Sequence, residues 1–138
     1  SVRLWGYMLY ENMKITSDGV AYMILNAETA RKFDLKEGET EGLVNEPLKI
    51  DNVRMSIFLK EDGDGFYRVS IRTKKGVSAV KCSASYFHGG GHENASGGRL
   101  FFKPVDGRPA DISAPEEAEK YIIDKTSVYF ADGSYESR

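Results

Sequence analysis

One cysteine, no long apolar run and a net charge of only −2 set the first limits on this 138-residue chain. A lone Cys82 excludes an intramolecular disulfide and any cysteine-cluster metal site. It falls in an apolar helical pattern and reads as a buried, inert thiol rather than a nucleophile. No apolar stretch approaches the ~18 residues of a membrane span, and the N-terminus lacks the charged-then-apolar order of a signal peptide. Both features point to a cytoplasmic protein. The near-neutral charge argues against a broad grip on long nucleic acid, while a small anion held by a few local cations remains compatible with it. Internal repeats and low-complexity linkers are absent too.

What is present fits one packed domain. A chain of this length buries about two thirds of its unfolded surface, and 41% hydrophobic residues, with eight tyrosines and seven phenylalanines, supply an ordinary core. The sequence opens at Ser1 without methionine, inside an amphipathic segment. Val2, Trp5, Met8 and Leu9 stand at helical spacing, so residues 1–12 read as the end of a helix linking to an upstream domain. Ser17-Asp18-Gly19 between Met13–Thr16 and Val20–Leu25 signals a hairpin. Asn26 caps a short helix over Ala27–Phe33. Thr40 is positioned to cap another, with Leu43, Val44, Leu48 and Ile50 facing inward.

The strongest pattern follows. Val53, Met55, Ile57 and Leu59 alternate with Arg54, Ser56, Phe58 and Lys60; beyond a Gly- and Asp-rich turn, Tyr67, Val69 and Ile71 alternate with Arg68, Ser70 and Arg72. Both runs have strand period and predict a β-hairpin with one apolar and one polar face. Ser78 caps a helix over Ala79–Phe87 with Val80, Ala84 and Phe87 inward. Leu100-Phe101-Phe102 reads as a short edge strand. Ser113-Ala114-Pro115-Glu116 reads as a capping box opening a helix with Ala118, Tyr121 and Ile122 inward. Val128-Tyr129-Phe130 is a last strand or a contact for a neighbour, and residues 131–138 are a frayed tail. The expected class is α/β or α+β: a single domain over residues 13–130 with a mixed sheet and packed helices.

The chemistry centres on residues 86–98, Tyr-Phe-His-Gly-Gly-Gly-His-Glu-Asn-Ala-Ser-Gly-Gly. Gly89, Gly90 and Gly91 can line up backbone N–H groups in a nest that no side chain obstructs, with His92 at its mouth. A short helical turn over Asn94–Gly97 would aim its N-terminus at the same point. These residue types describe a phosphate or carboxylate cradle, and equally a mobile glycine turn beside a histidine. On the polar strand face, Arg72 beside Ser70 offers a planar fork of donors suited to phosphate, whereas Arg68 and Arg72 also fit plain solvated positions.

Other chemistries fare worse. His88 and His92 stand four apart, but three intervening glycines exclude the helix a zinc-protease motif needs. Asp62 and Asp64 lack the later ligands of a calcium loop. Glu39 and Glu41 read as a solvated acid pair, and no serine or cysteine stands in a nucleophilic arrangement. The chain carries no metal-ligand set of its own and no complete catalytic apparatus.

Gly89-Gly90-Gly91-His92-Glu93-Asn94-Ala95-Ser96-Gly97 resembles the glycine-histidine signature of the DHH-associated C-terminal domain, which completes the DHH-family phosphoesterases. Thr40-Glu41-Gly42-Leu43-Val44-Asn45 and Val69-Ser70-Ile71-Arg72-Thr73 resemble two further segments, in the same order, of the nanoRNase / 3′-phosphoadenosine 5′-phosphate phosphatase branch. The resemblance covers about residues 13–125. The family often has glycine at the position of His88 and serine at that of Thr73. Its Asp-His-His motif, which binds two manganese ions in an N-terminal domain, is not in this sequence.

The resemblance therefore implies the substrate-binding half of a two-domain hydrolase, inactive by itself. His92 would assist catalysis through a phosphate contact, and Gly89, Gly90, Gly91, Ser70, Arg72 and Asn94 would hold the substrate. Thr40, Glu41, Asn45 and His88 would stand at its border. The substrate would be short RNA or a nucleoside bisphosphate, the partner the protein's own N-terminal DHH domain, and a homodimer is compatible. Alternatives are a partner domain for polyphosphate, a cyclic dinucleotide or single-stranded DNA in a RecJ-like enzyme. A free-standing nucleic-acid-binding module, as in alanyl-tRNA synthetases, is a further one.

Overall fold

Six strands form one mixed sheet in the order β1-β2-β3-β4-β6-β5. The computed structural model describes residues 2–137. The strands are β1 (Lys14–Ile15), β2 (Val20–Leu25), β3 (Met55–Asp62), β4 (Phe66–Thr73), β5 (Gly90–His92) and β6 (Ala95–Phe101). Only β2 and β3 run parallel; every other neighbouring pair is antiparallel. The helices are α1 (Val2–Tyr7), α2 (Ala27–Lys32), α3 (Ala79–Tyr86) and α4 (Ala118–Ala131). A π-helical turn, Met8–Asn12, continues α1, and a 3-10 segment, Leu43–Lys49, precedes β3. The class is α+β, as the mixed pattern predicts.

The sheet is covered unequally, and this positions the site. On one face Met55, Ile57, Leu59, Tyr67, Val69, Ile71 and Leu100 form the main core with Cys82, Phe87, Ile122 and Tyr129 from α3 and α4. On the other, Leu4, Met8, Leu43 and Val44 cover Met23, Leu25 and Phe58. That second cluster stops at β3. The β3–β4 hairpin therefore does not have the expected single polar face: Ser56 and Phe58 are buried, and exposure begins only at β4 with Arg68, Ser70 and Arg72.

Several local expectations are corrected by this packing. Val2 is 89% exposed, and Leu4 is the residue of α1 that enters the core; Ser1 lies outside the described residues. Thr40 caps no α-helix. It stands in a turn before Gly42 (φ +84°), from which the 3-10 segment starts, and Pro47 keeps that segment from becoming α-helical. Leu43 and Val44 are inward as expected, while Ile50 is exposed. In α3, Ser78 does accept the Lys81 N–H, but Ala79, Cys82 and Ser83 face inward and Ala84 is exposed.

The largest correction concerns Asn94–Gly97. These residues make no helical turn: Glu93-Asn94 is the two-residue tip of the β5–β6 hairpin, and Leu100–Phe102 continues β6 or follows it inside the sheet, not at its edge. Glycine is poor in helices, and here its small size is needed. A Cβ on Gly98 would strike the carbonyl of Phe87, so only glycine lets the end of α3 lie directly on β6.

The C-terminal part also differs. Ala114, not Ser113, precedes the first turn; Ser113 N–H donates to the Glu117 carboxylate (3.2 Å). Val128-Tyr129-Phe130 belongs to α4, with Tyr129 buried and its hydroxyl donating to the Ser78 carbonyl (2.6 Å). The tail expected to fray is tied back through residue 137. Ser78 N–H donates to the Tyr135 carbonyl (2.7 Å), Ser137 to Glu93 (2.8 Å), and Tyr135 stacks on Phe130.

Candidate phosphate-binding face

Residues directly opposite one another in a sheet share a face, so the strand register reads out the uncovered surface. One row across β3, β4, β6 and β5 is Ser56, Arg72, Ala95, His92. The next, two residues along, is Phe58, Ser70, Gly97, Gly90. A third is Lys60, Arg68, Arg99. Arg72 and His92, 20 residues apart in sequence, thus stand on the same face two strands apart, about 10 Å between their backbones. Between and beside them the surface is Ala95, Ser70, Gly97 and Gly90, a floor almost without side chains.

The donors suit an anion. Arg72 Nη1 donates to the carbonyls of Ile71 (2.9 Å) and Ser96 (3.4 Å), which holds the side chain across the strand ends. Nε and Nη2 keep no protein partner among the described residues, and neither does the Ser70 hydroxyl. As an outer strand, β5 leaves every second backbone N–H unpaired by the sheet. Backbone N–H groups thus reach the face from a strand edge, not from a nest closed by a helix N-terminus. Gly89 does not contribute: its N–H is taken by the Ser83 carbonyl (3.2 Å), and a Cβ there would strike the Gly97 carbonyl and the Ser83 hydroxyl. Gly91, at φ +141°, is where the chain turns toward the hairpin tip.

The remaining sequence candidates divide. Thr40, Glu41 and Asn45 lie in and before the 3-10 segment that packs on β3 and β4, on the same side of the sheet as Phe58, so they border the face. Asn94 stands at the hairpin tip, where its amide donates to Thr73 Oγ1 (3.0 Å) and to the carbonyls of Lys74 (3.2 Å) and Val77 (3.3 Å). It braces the end of β4 beside Arg72. His88, in the left-handed region (φ +54°), bonds Asp111 through Nε2 (2.8 Å) and meets Phe101 edge-on. Asp111 in turn accepts the Phe101 N–H (2.8 Å), a loop anchor that sequence pattern did not single out.

The largest cavity, about 650 Å³, opens on the opposite face beside Tyr22 and Tyr67. Glu28, Glu61, Glu116 and Glu119 line it against few cations, so it repels phosphate. Glu119 accepts from Lys14 and Tyr22 (both 2.8 Å), which lowers its carboxyl pKa; burial, then Glu119, push the Tyr22 phenol up to about 12. Cys82 is fully buried, and burial pushes its thiol up to about 12, far from a nucleophile's range. Among the described residues no three His, Cys, Asp or Glu side chains gather as a metal site, and no helix is long and apolar enough to cross a membrane.

An open, glycine-floored sheet face with an arginine and a histidine in register defines a small α+β ligand-binding domain. The chain belongs to the DHHA1 domain family, whose model matches residues 17–101, and so to the DHH-associated C-terminal domains. It is 38% identical over 93 residues to a probable bifunctional oligoribonuclease and PAP phosphatase NrnA of Streptococcus mutans, covering 67% of this chain and 29% of that protein. It is 30% identical over 100 residues to the bifunctional oligoribonuclease and PAP phosphatase NrnA of Bacillus subtilis, covering 72% and 31%. Among solved structures, an exopolyphosphatase-related protein from Bacteroides fragilis superposes with TM-score 0.76 at 38% identity, over 93% of this chain and 34% of that one. The pGpG-specific phosphodiesterase PggH from Vibrio cholerae shares the fold at 14% identity and TM-score 0.57 over 94% and 39%. The chain thus spans about a third of the length of the relatives it matches.

Proposed function

We propose that this chain is the substrate-gripping domain of a two-domain phosphoesterase that hydrolyses short oligoribonucleotides, 3′-phosphoadenosine 5′-phosphate, or both. The names of the two NrnA relatives support the substrate class. The observation that carries the reading is the row Arg72–Ala95–His92 above the Gly97–Gly90 floor. One phosphate of the substrate sits on the β5 edge, where outward N–H groups and the His92 ring donate. The other sits at Arg72, whose free guanidinium N–H groups and the neighbouring Ser70 hydroxyl hold it in a charge-assisted pair. A floor without side chains lets the phosphates approach the backbone, and closure of the domain excludes water from the cleft.

The reacting phosphate meets its second wall in an N-terminal DHH domain of the same protein. Two manganese ions bound there would polarise the phosphate and supply an activated water. His92 contacts the phosphate from this side and restrains it for in-line attack. The same reading places the protein in the cytoplasm.

Calorimetric titration of the purified chain with 3′-phosphoadenosine 5′-phosphate tests this directly. The chain binds weakly, Arg72→Ala and His92→Ala each lose about tenfold or more, and no hydrolysis occurs with manganese. Appreciable manganese-dependent turnover by this chain, or binding indifferent to Arg72→Ala, overturns the proposal. The exopolyphosphatase-related neighbour favours a second reading, a polyphosphate chain on the same floor. Tighter binding of inorganic tripolyphosphate than of the bisphosphate nucleoside decides for it.

A further inference from the structure

The row Lys60–Arg68–Arg99 lies on the face that carries Arg72 and His92, four residues further along the strands, about 14 Å away at 3.4 Å per residue. Like charges opposite one another in a sheet repel, and three in register cost stability unless something answers them. Carboxylates answer this row only in part. Asp62 pairs with Arg68 (3.2 Å) through a side chain that stays 60% exposed. Arg99 and Lys60 have no acidic partner among the described residues. Both guanidiniums stack on Phe66, Arg99 at 4.7 Å and Arg68 at 5.5 Å from the ring centroid, which fixes them on this face without neutralising them. Phe66 is itself seated against Phe101 (5.6 Å). Between this cationic row and the Arg72 row lies only Ser70 and Gly97, so nothing obstructs a chain passing from one to the other.

We infer that Arg68 and Arg99 form a second phosphate subsite that reads substrate length, resting on the proposed function above. A nucleoside bisphosphate carries two phosphates one nucleotide apart; it fills the Arg72–His92 row and the adjoining floor and ends there. The 14 Å step to the second row is that of phosphates two nucleotides apart on an extended chain. A third phosphate is therefore needed to reach Arg68 and Arg99, and these residues strengthen binding of oligoribonucleotides while leaving the bisphosphate nucleoside unaffected. Ring stacking holds the guanidinium planes in place before the ligand arrives, so little side-chain order is lost on binding.

The test compares the wild-type chain with Arg68→Gln/Arg99→Gln, using 5′-phosphorylated tetra-adenylate and 3′-phosphoadenosine 5′-phosphate as probes. Both substituted residues are exposed, and thermal unfolding confirms the fold of the variant. The double variant weakens tetra-adenylate binding by about tenfold or more, and the slope of log K against log salt becomes shallower by about 1.4, from about 0.7 per phosphate contact on a single strand. Its affinity for the bisphosphate nucleoside stays within twofold. Equal loss on both probes, or no loss on tetra-adenylate, overturns the second subsite and leaves the primary one standing. Failure of the wild-type chain to bind either probe, or binding unaffected by Arg72→Ala, overturns the underlying reading as well.

Discussion

Replacing Gly90 by alanine separates the floor of the site from the fold that carries it. A Cβ on Gly90 meets nothing within 4 Å, because β5 is the outer strand and its residues are exposed. The Gly90 backbone lies outside the left-handed region, so alanine fits without strain and stabilises by about 0.4–1 kcal/mol through the unfolded chain. The new methyl stands up from the face in register with Gly97 and Ser70, where a phosphate oxygen would approach the β5 edge. Displacing that oxygen by a methyl radius breaks one charge-assisted hydrogen bond, about 1.5–3 kcal/mol, or roughly 10- to 150-fold in affinity. Calorimetry with 3′-phosphoadenosine 5′-phosphate measures the loss, and thermal unfolding measures the fold. Gly90→Ala should bind weakly and melt no lower than the parent. Full affinity in a well-folded variant would refute a ligand lying on β5. A marked drop in melting temperature would refute the open edge itself.

Neighbouring positions should respond differently. Gly89→Ala drives a Cβ into the Gly97 carbonyl, and Gly91→Ala combines φ +141° with contacts to the Ala95 carbonyl and Ser96 Cα at 2.8 Å; both should lower stability by about 1–3 kcal/mol or more in urea melts. Phe58→Ala removes the aromatic that is only 5% exposed under the second core cluster and should cost about 3–5 kcal/mol by the same assay. Cys82 should resist alkylation at pH 8 in the folded chain and react on unfolding. Because its folded pKa is raised from 9.0 to about 12, its contribution to stability is full below pH 9 and is lost as pH rises toward 12. Glu119 has the opposite sign: its carboxyl is held low by Lys14 and Tyr22, so its contribution is present above the ordinary carboxylate range and lost as pH falls through the folded value. Acid titration of Glu119→Gln should show that loss missing.

How far the sequence could lead is set by which interactions are local. The β3–β4 alternation, the Asn26 and Ser78 caps and the Ser17-Asp18-Gly19 turn are decided within a few residues, and the fold keeps them all. The Glu93-Asn94 hairpin was not legible. Its strands are glycines and small residues whose pairing is fixed from outside, by β4 on one side of β6 and by the end of α3 over Gly98. Val128–Phe130 was ambiguous for the same reason: three large apolar residues suit a strand or a helix, and the packing of Tyr129 against Tyr86 decides.

The site shows the same division. Arg72 and Ser70 could be placed on one strand face from their spacing alone, but nothing local puts His92 on that face. Register does so, by pairing Arg72 with Ala95 and Ala95 with His92. The exposure of the face has a different origin again. It depends on Leu43, Val44, Leu4 and Met8 covering the sheet only as far as Phe58. Had the 3-10 segment run one strand further, Arg72 would be buried without a charge partner, at a cost of several kcal/mol. The segment that carries Thr40, Glu41 and Asn45 therefore has a structural duty beside any contact with ligand: it ends the hydrophobic layer one strand short, so that the phosphate-facing half of the sheet stays open.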